Sequence, residues 1–325
     1  MARISSLALS PFRSDSTTHT IENYRANGKL LLTGEYAVLD GALALAVPTK
    51  LGQRLEVEKS THSGVIEWTS YGSEDEVWFE GQFELGTMHH LESNDPATGK
   101  RLEEIFQAIQ AQQLDFLQHS NGLRFRTYLD FPREWGLGSS STLLSLLAQY
   151  AEADPQRLLQ DTFGGSGYDI ACAQAEEPIL YQRRGGKPQF VELHYDPPFT
   201  DALYFVYRNQ KQDSRAGMRR YRAHAADSEA LVAEISHLTA QVVTAATLTA
   251  LEAYLDEHEQ LIGEAIGMPP VKDSHFLDYW GSVKSLGAWG GDFVLVTSNR
   301  TAEATRTYFR ERGYPVVLDY QQMVL

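Results

Sequence analysis

The sequence has a single cysteine, Cys172, among 325 residues. An intrachain disulfide is therefore excluded, and so is a zinc site built from several cysteines. Positive charge is also scarce, because 28 Lys and Arg stand against 43 Asp and Glu and give a net charge of −15. Nucleic acids are bound through basic surfaces, so we expect no nucleic-acid partner. Small anionic substrates are not excluded, since they need only a local cluster of positive charge.

Long hydrophobic runs are missing as well. No stretch approaches the roughly 18 apolar residues of a membrane span, and residues 1–10 lack the apolar core of a signal peptide. We therefore expect a cytoplasmic protein with no membrane partner. The 42% of hydrophobic residues and 22% of charged residues are typical of a globular chain. At about 150 residues per domain, the length predicts two domains.

Hydrophobic patterning predicts a mixed α+β protein. Residues 54–58 and 122–131 alternate between polar and apolar side chains, as half-buried strands do, and residues 100–117 have the spacing of a helix. The pair Pro197-Pro198 is the best candidate for a linker, and the elements after it predict an α+β second domain of order βααβαβ. Residues 1–20 are rich in Ser and Thr, and we expect a flexible N-terminal arm there.

A Gly/Ser loop joins a predicted strand to a predicted helix at residues 136–142. Glycines let the backbone approach a ligand closely, and the free N–H groups at the start of a helix attract anions. The loop is therefore a candidate phosphate site. The alternative is a flexible turn with a serine N-cap. No lysine follows the second glycine, so this is not a Walker loop.

Two further segments carry glycines beside charged residues. Lys29 begins an apolar strand in the segment Asn27 to Tyr36, which is an unusual place for a charge, although a snorkelling lysine at a strand end is the simpler explanation. The segment Lys284 to Asp292 is a glycine-rich loop that enters a strand; its simpler explanation is a helix-to-strand turn.

The order and spacing of these segments resemble the GHMP small-molecule kinases, which include galactokinase, homoserine kinase, mevalonate kinase and phosphomevalonate kinase. The resemblance covers nearly the whole chain and includes Gly165-Ser166-Gly167-Tyr168-Asp169. The opening motif and the final Gly-Gly-Asp favour the mevalonate and phosphomevalonate branch. The resemblance implies an N-terminal domain at 21–195, similar to domain 2 of ribosomal protein S5, and a ferredoxin-like C-terminal domain at 196–325. It also implies ATP and Mg²⁺ as cofactors and a cleft between the domains.

The resemblance further implies the residues that would hold the nucleotide and its metal ion. The backbone and hydroxyls of one loop would wrap the ATP phosphates: Gly136, Leu137, Gly138, Ser139, Ser140 and Ser141. Ser140 would also contribute to the Mg²⁺ shell. Mevalonate kinases carry a glutamate upstream of the catalytic aspartate, and here Asp161 is the nearest acidic substitute.

Catalytic and acceptor residues follow from the same resemblance. Asp169 would act as general base or orient the acceptor hydroxyl, and Lys29 would keep Asp169 ionised and stabilise the developing alkoxide. Asp169 alone has a simpler explanation as an N-cap. The residues expected beside the acceptor are Glu35, Tyr36, Gly287, Ala288, Gly290 and Gly291. Trp289 stands where the family prefers glycine, and we expect it to narrow the pocket or tilt the loop.

These features predict an ATP-dependent kinase for a small acidic or alcohol metabolite, mevalonate being favoured. Phosphomevalonate kinase is the alternative, and it would need a basic cluster for the substrate phosphate. Arg183, Arg184, Lys187 or the Arg-rich segment 208–222 could supply that cluster, although a solvated helix face is the simpler role for the segment. The third candidate function is a nucleotide or metabolite sensor that has no catalytic activity. The oligomeric state is left open, with a homodimer as one candidate.

Overall fold

The computed structural model describes residues 21–118, 120–210, 214–224, 228–289 and 291–325. The N-terminal arm that we expected at residues 1–20 and the acceptor residue Gly290 lie outside this description. Within the described residues, none of the helices combines the length and the apolar character that a membrane crossing requires.

Eight strands of the described chain form a large sheet in the order β5-β4-β3-β6-β2-β7-β8, with β1 paired to β2. Neighbouring strands are antiparallel except for the parallel pair β3 and β6. The strands are β1 Glu22–Leu31, β2 Ala44–Lys59, β3 Val65–Tyr71, β4 Val77–Glu84, β5 His90–Ser93, β6 Leu123–Leu129, β7 Ile179–Arg184 and β8 Lys187–Glu192. The long β2 organises the sheet, because it pairs with β1, β6 and β7.

Helices cover one face of this sheet because alternate side chains of its strands are apolar. In β6, for example, every second residue is buried, as its alternation predicts. The helices are α1 Pro96–Gln112, α2 Ser139–Ala151, α3 Pro155–Thr162 and α4 Tyr168–Gln174. Asp154 caps α3 ahead of Pro155, as the sequence indicated, and Asp95 caps α1 in the same way.

The C-terminal part of the chain builds a second, antiparallel sheet in the order β10-β11-β9-β12. Its strands are β9 Leu203–Tyr207, β10 Val283–Ser285, β11 Phe293–Thr297 and β12 Val317–Asp319. The helices are α5 Ser214–His224, α6 Ser228–Thr244, α7 Leu248–Ile266, α8 Val271–His275, α9 Ala302–Glu311 and α10 Tyr320–Met323. The order of strands in chain and sheet is that of a ferredoxin-like unit with extra helices after its first strand.

One sequence interpretation needs correction here. The glycine-rich loop after Lys284 connects β10 to β11, so it lies in a strand-to-strand connection and not between a helix and a strand. The two sheets share a hydrophobic core, in which Leu45 and Val47 of β2 lie in one cluster with Phe205 of β9 and Leu295 of β11. The boundary at 195/196 falls in the connection between β8 and β9 and stays a prediction.

Candidate active site

The Gly/Ser loop leads directly into α2, and its backbone is shaped by two glycines with positive φ. Gly136 has φ +66° and Gly138 has φ +91°. The N-cap residue of α2 is Gly138, which has no side chain with which to cap the helix, so the first N–H groups of α2 point out of the helix without that partner. The fully buried side chain of Leu137 anchors the loop in the core. This arrangement is suited to binding an anion such as a phosphate.

Lys29 holds the Gly/Ser loop from the neighbouring strand β1. Its backbone N–H donates to the carbonyl of Leu137 at 3.0 Å, and its Nζ donates to the carbonyl of Gly136 at 3.0 Å. A Cβ placed on Gly138 would lie 3.2 Å from Cγ and Cε of Lys29. The lysine therefore packs against the loop along its whole length.

The charge on Lys29 is maintained by its surroundings. Burial alone would lower the pKa of this ammonium group, but the nearby Tyr168, Asp169 and Asp292 raise the pKa above its ordinary value. Its Nζ lies 5.7 Å from the centroid of the Tyr168 ring. Among the described residues, no direct ion pair joins Lys29 to Asp169, so the expected interaction between them acts through space.

Asp169 lies in the first turn of α4 and is tied to α2 by a short hydrogen bond. The hydroxyl of Ser141 donates to Oδ2 of Asp169 at 2.5 Å. Ser141 was expected to bind the ATP phosphates, and in the structure its single hydroxyl proton is used on Asp169 instead. This bond fixes the carboxylate beside the Gly/Ser loop.

These groups line one cleft of about 430 Å³, which we call the central cleft. Several predicted residues contribute to its wall: Lys29, Tyr36, Gly136, Gly138, Ser139, Ser140, Ser141, Asp169, Gly287 and Ala288. Arg133, Tyr168 and Asp292 also line the central cleft, although no role was predicted for them. Tyr168 and Asp292 belong to the glycine motifs, which was the available signal for them.

A second cleft of about 300 Å³ opens beside the Gly/Ser loop, and we call it the aromatic side cleft. It shares Arg133, Ser139, Ser140 and Phe163 with the central cleft. Trp78 forms part of its wall, with the Arg133 guanidinium 3.7 Å from the Trp78 ring centroid. The buried Nε1 of Trp78 makes no hydrogen bond within the described part of the chain.

Glu35 does not reach the central cleft, contrary to the role expected for it. Its side chain is fully buried and forms an ion pair with Lys284 of β10 at 2.6 Å. His258 lies 3.6 Å from the same carboxylate and accepts the N–H of Gly34 at 2.9 Å. Burial raises the pKa of Glu35 to about 7, although Lys284 opposes the shift. Glu35 therefore links the two sheets.

Tyr36 does line the central cleft, and its backbone has a positive φ of 56°. The Tyr36 hydroxyl accepts the backbone N–H of Trp289 at 2.8 Å, and its ring stacks on Tyr221 with centroids 5.9 Å apart. The Trp289 side chain is buried in this aromatic cluster, packed close to Gly263, and is not part of the cleft wall. The tryptophan therefore anchors the glycine loop from behind.

The remaining predicted residues lie away from the central cleft. Gly291 donates its N–H to the carbonyl of Ala288 at 3.1 Å and supports the loop without lining the cleft. Asp161 is on the outer face of α3, 47% exposed, and lies 3.6 Å from Arg157 one helical turn away. The helix turns this carboxylate to solvent, so the structure gives no support to Asp161 as a metal ligand.

Solved structures share this fold over nearly their whole length. A mevalonate kinase of L. major in complex with R-mevalonate is 15% identical, with a TM-score of 0.65 over 94% of this chain and 96% of the other. A Streptococcus pneumoniae phosphomevalonate kinase in complex with phosphomevalonate and AMPPNP is 18% identical, with a TM-score of 0.66 over 92% and 99%. A Lactococcus lactis galactokinase complexed with galactose is 11% identical, with a TM-score of 0.65 over 92% and 93%.

These neighbours are GHMP kinases, so the α+β fold predicted from the motifs is confirmed. The chain has the GHMP kinase fold. No protein-family profile matches the chain, and no curated protein is significantly similar in sequence. At these identities the likeness establishes the fold, and the activity has to be argued from the site.

Proposed function

We propose that this protein is an ATP-dependent kinase that transfers the γ-phosphoryl group to a hydroxyl of a small acidic metabolite, with mevalonate as the first acceptor to test. One observation carries the proposal. The uncapped N-terminus of α2, the cation of Lys29 and the carboxylate of Asp169 meet in a single cleft. Phosphoryl transfer depends mainly on positioning and charge neutralisation, and these groups supply both.

The nucleotide fits the residues present. Gly138 leaves room where a Cβ would press on Lys29, and the free N–H groups of the first turn of α2 are suited to its phosphates. The aromatic side cleft adjoins that turn through Ser139 and Ser140. The Arg133 guanidinium stacks on the Trp78 indole at 3.7 Å, and together they give this cleft a flat, cationic wall suited to stacking against a base.

Asp169 can act as the general base for the acceptor hydroxyl. It accepts the proton of the acceptor hydroxyl as that oxygen bonds to phosphorus and the bond to the departing ADP breaks. Ser141 keeps the carboxylate oriented, and Lys29 stabilises the negative charge that develops on the acceptor oxygen. Tyr36 and Gly287 form part of the wall of the cleft, which restricts where the acceptor can lie.

Magnesium is the counter-ion that ATP brings to such a site. The described residues contain no group of three or more His, Cys, Asp or Glu side chains that could bind a metal ion without help from a ligand. Mg²⁺ is commonly bound through substrate phosphates and one or two carboxylates. Asp292 replaces Asp161 as the best candidate, because its carboxylate lies against Gly136 of the loop, and Ser140 remains a candidate hydroxyl ligand.

The test is release of ADP from ATP and Mg²⁺ with mevalonate, phosphomevalonate, homoserine and galactose as separate acceptors. We expect turnover with one acceptor, and a loss of ~10²–10⁴-fold in Asp169→Asn, which keeps the shape of the side chain. If Asp169→Asn turns over as fast as the wild type, Asp169 has no catalytic role. If no acceptor supports ADP release but the protein still binds ATP, a nucleotide sensor without catalysis would be favoured. The cytoplasmic location and the homodimer stay predictions.

A further inference from the structure

Glu35 and Tyr36 lie in the connection between β1 and β2, where the chain makes a tight turn. The N–H of Ala37 donates to the carbonyl of Glu35 at 2.5 Å, and Tyr36 between them has φ 56° and ψ −47°. This is a γ-turn with a positive φ at its centre, which is rare and strained, above all for a residue as large as tyrosine. Strain of this kind persists where surrounding contacts enforce it, and it is concentrated at functional sites. The contacts of these two side chains therefore hold the turn in a conformation that it would not adopt alone.

Both side chains of the turn contact the connection between β10 and β11 of the second sheet. The Glu35 carboxylate is paired with Nζ of Lys284, in β10, at 2.6 Å. The Tyr36 hydroxyl accepts the backbone N–H of Trp289 at 2.8 Å. Residues 285–288 lie between these two points, so the turn holds this stretch of the chain at both of its ends.

Two residues of that stretch, Gly287 and Ala288, line the central cleft. Neither has a side chain long enough to hold the loop in place by itself. An ideal Cβ on Gly287 would meet no atom of the described residues within 4 Å, so packing does not set its position. The position of this part of the cleft wall therefore depends on how the chain is held on either side of it.

Helix α5 holds the Tyr36 ring in the orientation that reaches Trp289. The ring stacks on Tyr221 of this helix, with centroids 5.9 Å apart and an angle of 19° between the planes. A Cβ on Gly217 of the same helix would lie 2.3 Å from the Tyr36 hydroxyl, so the helix approaches that oxygen as closely as glycine permits. The hydroxyl is thus enclosed by α5 and by the loop whose N–H it accepts.

We propose that Tyr36 is a positioning residue for the phosphoryl acceptor, which acts by holding Gly287 and Ala288 in the wall of the central cleft. Its hydroxyl serves the loop and does not bind the acceptor, while the pair of Glu35 and Lys284 fixes the other end of the same stretch. This inference rests on the kinase function proposed above. It replaces the direct contact with the acceptor that the sequence predicted for Tyr36.

The first measurement is hydrogen exchange of the loop amides, which requires no activity. It compares the wild type with Tyr36→Phe and with the matched control Tyr221→Phe. The Tyr221 hydroxyl donates to Asp40 at 2.7 Å, so the control also loses one tyrosine hydroxyl from this cluster but keeps the bond to the loop. Because one hydrogen bond is lost, we expect the peptide that contains Trp289 to exchange about 2- to 10-fold faster in Tyr36→Phe, and at the wild-type rate in Tyr221→Phe.

The second measurement is steady-state release of ADP with mevalonate, phosphomevalonate, homoserine and galactose as separate acceptors, together with AMPPNP binding. We expect kcat/KM for the acceptor to fall about tenfold in Tyr36→Phe, because small displacements in a reacting site are costly. AMPPNP affinity should stay near that of the wild type, and Tyr221→Phe should keep wild-type kinetic constants. A merely structural role of Tyr36 would lower stability in both variants and would leave kcat/KM unchanged.

Three results would overturn the proposal: wild-type loop exchange in Tyr36→Phe, equal acceleration in Tyr221→Phe, or faster loop exchange with unchanged kcat/KM. A wild type that turns over no acceptor would remove the kinase function, and the positioning role with it. The exchange rates are measured without turnover, so the contact between Tyr36 and the loop is judged independently of the kinase function.

Discussion

The substitution Gly138→Ala tests whether the Gly/Ser loop and Lys29 act as one unit. Gly138 has φ +91°, which alanine rarely adopts, and its new Cβ would lie 3.2 Å from Cγ and Cε of Lys29. The methyl group therefore has two effects. It strains the backbone, and it forces the lysine to move by a few tenths of an ångström.

A control with the same backbone strain is available in the chain. Gly86 has φ +103° in the turn between β4 and β5, with no atom within 4 Å of its ideal Cβ. Both substitutions should lower the free energy of unfolding by about 1–2 kcal/mol, the cost of a left-handed residue. Only Gly138→Ala also disturbs Lys29. Because a displacement of ~1 Å at a catalytic group can cost ~10²-fold, we expect its turnover to fall by about tenfold or more.

The assay combines urea unfolding of both variants with steady-state turnover on the acceptor that the wild type accepts. We expect a loss of stability in both variants, at least as large in Gly138→Ala, near wild-type turnover for Gly86→Ala, and a clear loss of turnover for Gly138→Ala. Equal turnover in the two variants would show that the contact between the loop and Lys29 has no role in catalysis.

Three further predictions concern the metal ion, the buried carboxylate and the lysine. Asp292→Asn should weaken Mg²⁺ activation by about tenfold and Asp161→Asn should leave it unchanged, as Mg²⁺ titrations would show. Burial raises the pKa of Glu35 from 4.5 to about 7, so the folded protein retains a proton that the unfolded chain loses. Its contribution to stability is therefore present below pH 4.5 and is lost as the pH rises through 7, and Glu35→Gln should flatten this pH dependence in urea titrations. Lys29→Met should lower kcat more than ATP affinity, and a pure loss of ATP affinity would contradict its role at the acceptor oxygen.

Local signals in the sequence predicted much of the fold. The cap at Asp154 and the alternating strand at 122–131 were recognised because their patterns involve neighbouring residues. The strand β10 was missed, since it has three residues and periodicity needs a longer window. Helix α1 begins at Pro96, earlier than predicted, because the cap at Asp95 precedes its first apolar residues.

The sequence predicted some residues of the site and not others, because only some of them are recognisable from neighbouring residues. Lys29, Asp169 and the Gly/Ser loop lie in motifs whose order along the chain is informative, and the structure brings them together. Glu35 belongs to a similar motif, yet its partner Lys284 is 249 residues away. Such a contact is decided by how the two sheets pack, which no local pattern encodes. The same holds for Trp289, whose burial behind the loop depends on α7.

Kinase activity is tested most simply by following the phosphoryl group itself. The protein is incubated with γ-labelled ATP, Mg²⁺ and the acceptor panel, and the label is sought on the acceptor, with Asp169→Asn as the matched variant. We predict label on an acceptor hydroxyl with the wild type and a loss of ~10²-fold or more with the variant. Label that remains in ATP or appears only as free phosphate, or equal labelling by the variant, would contradict it.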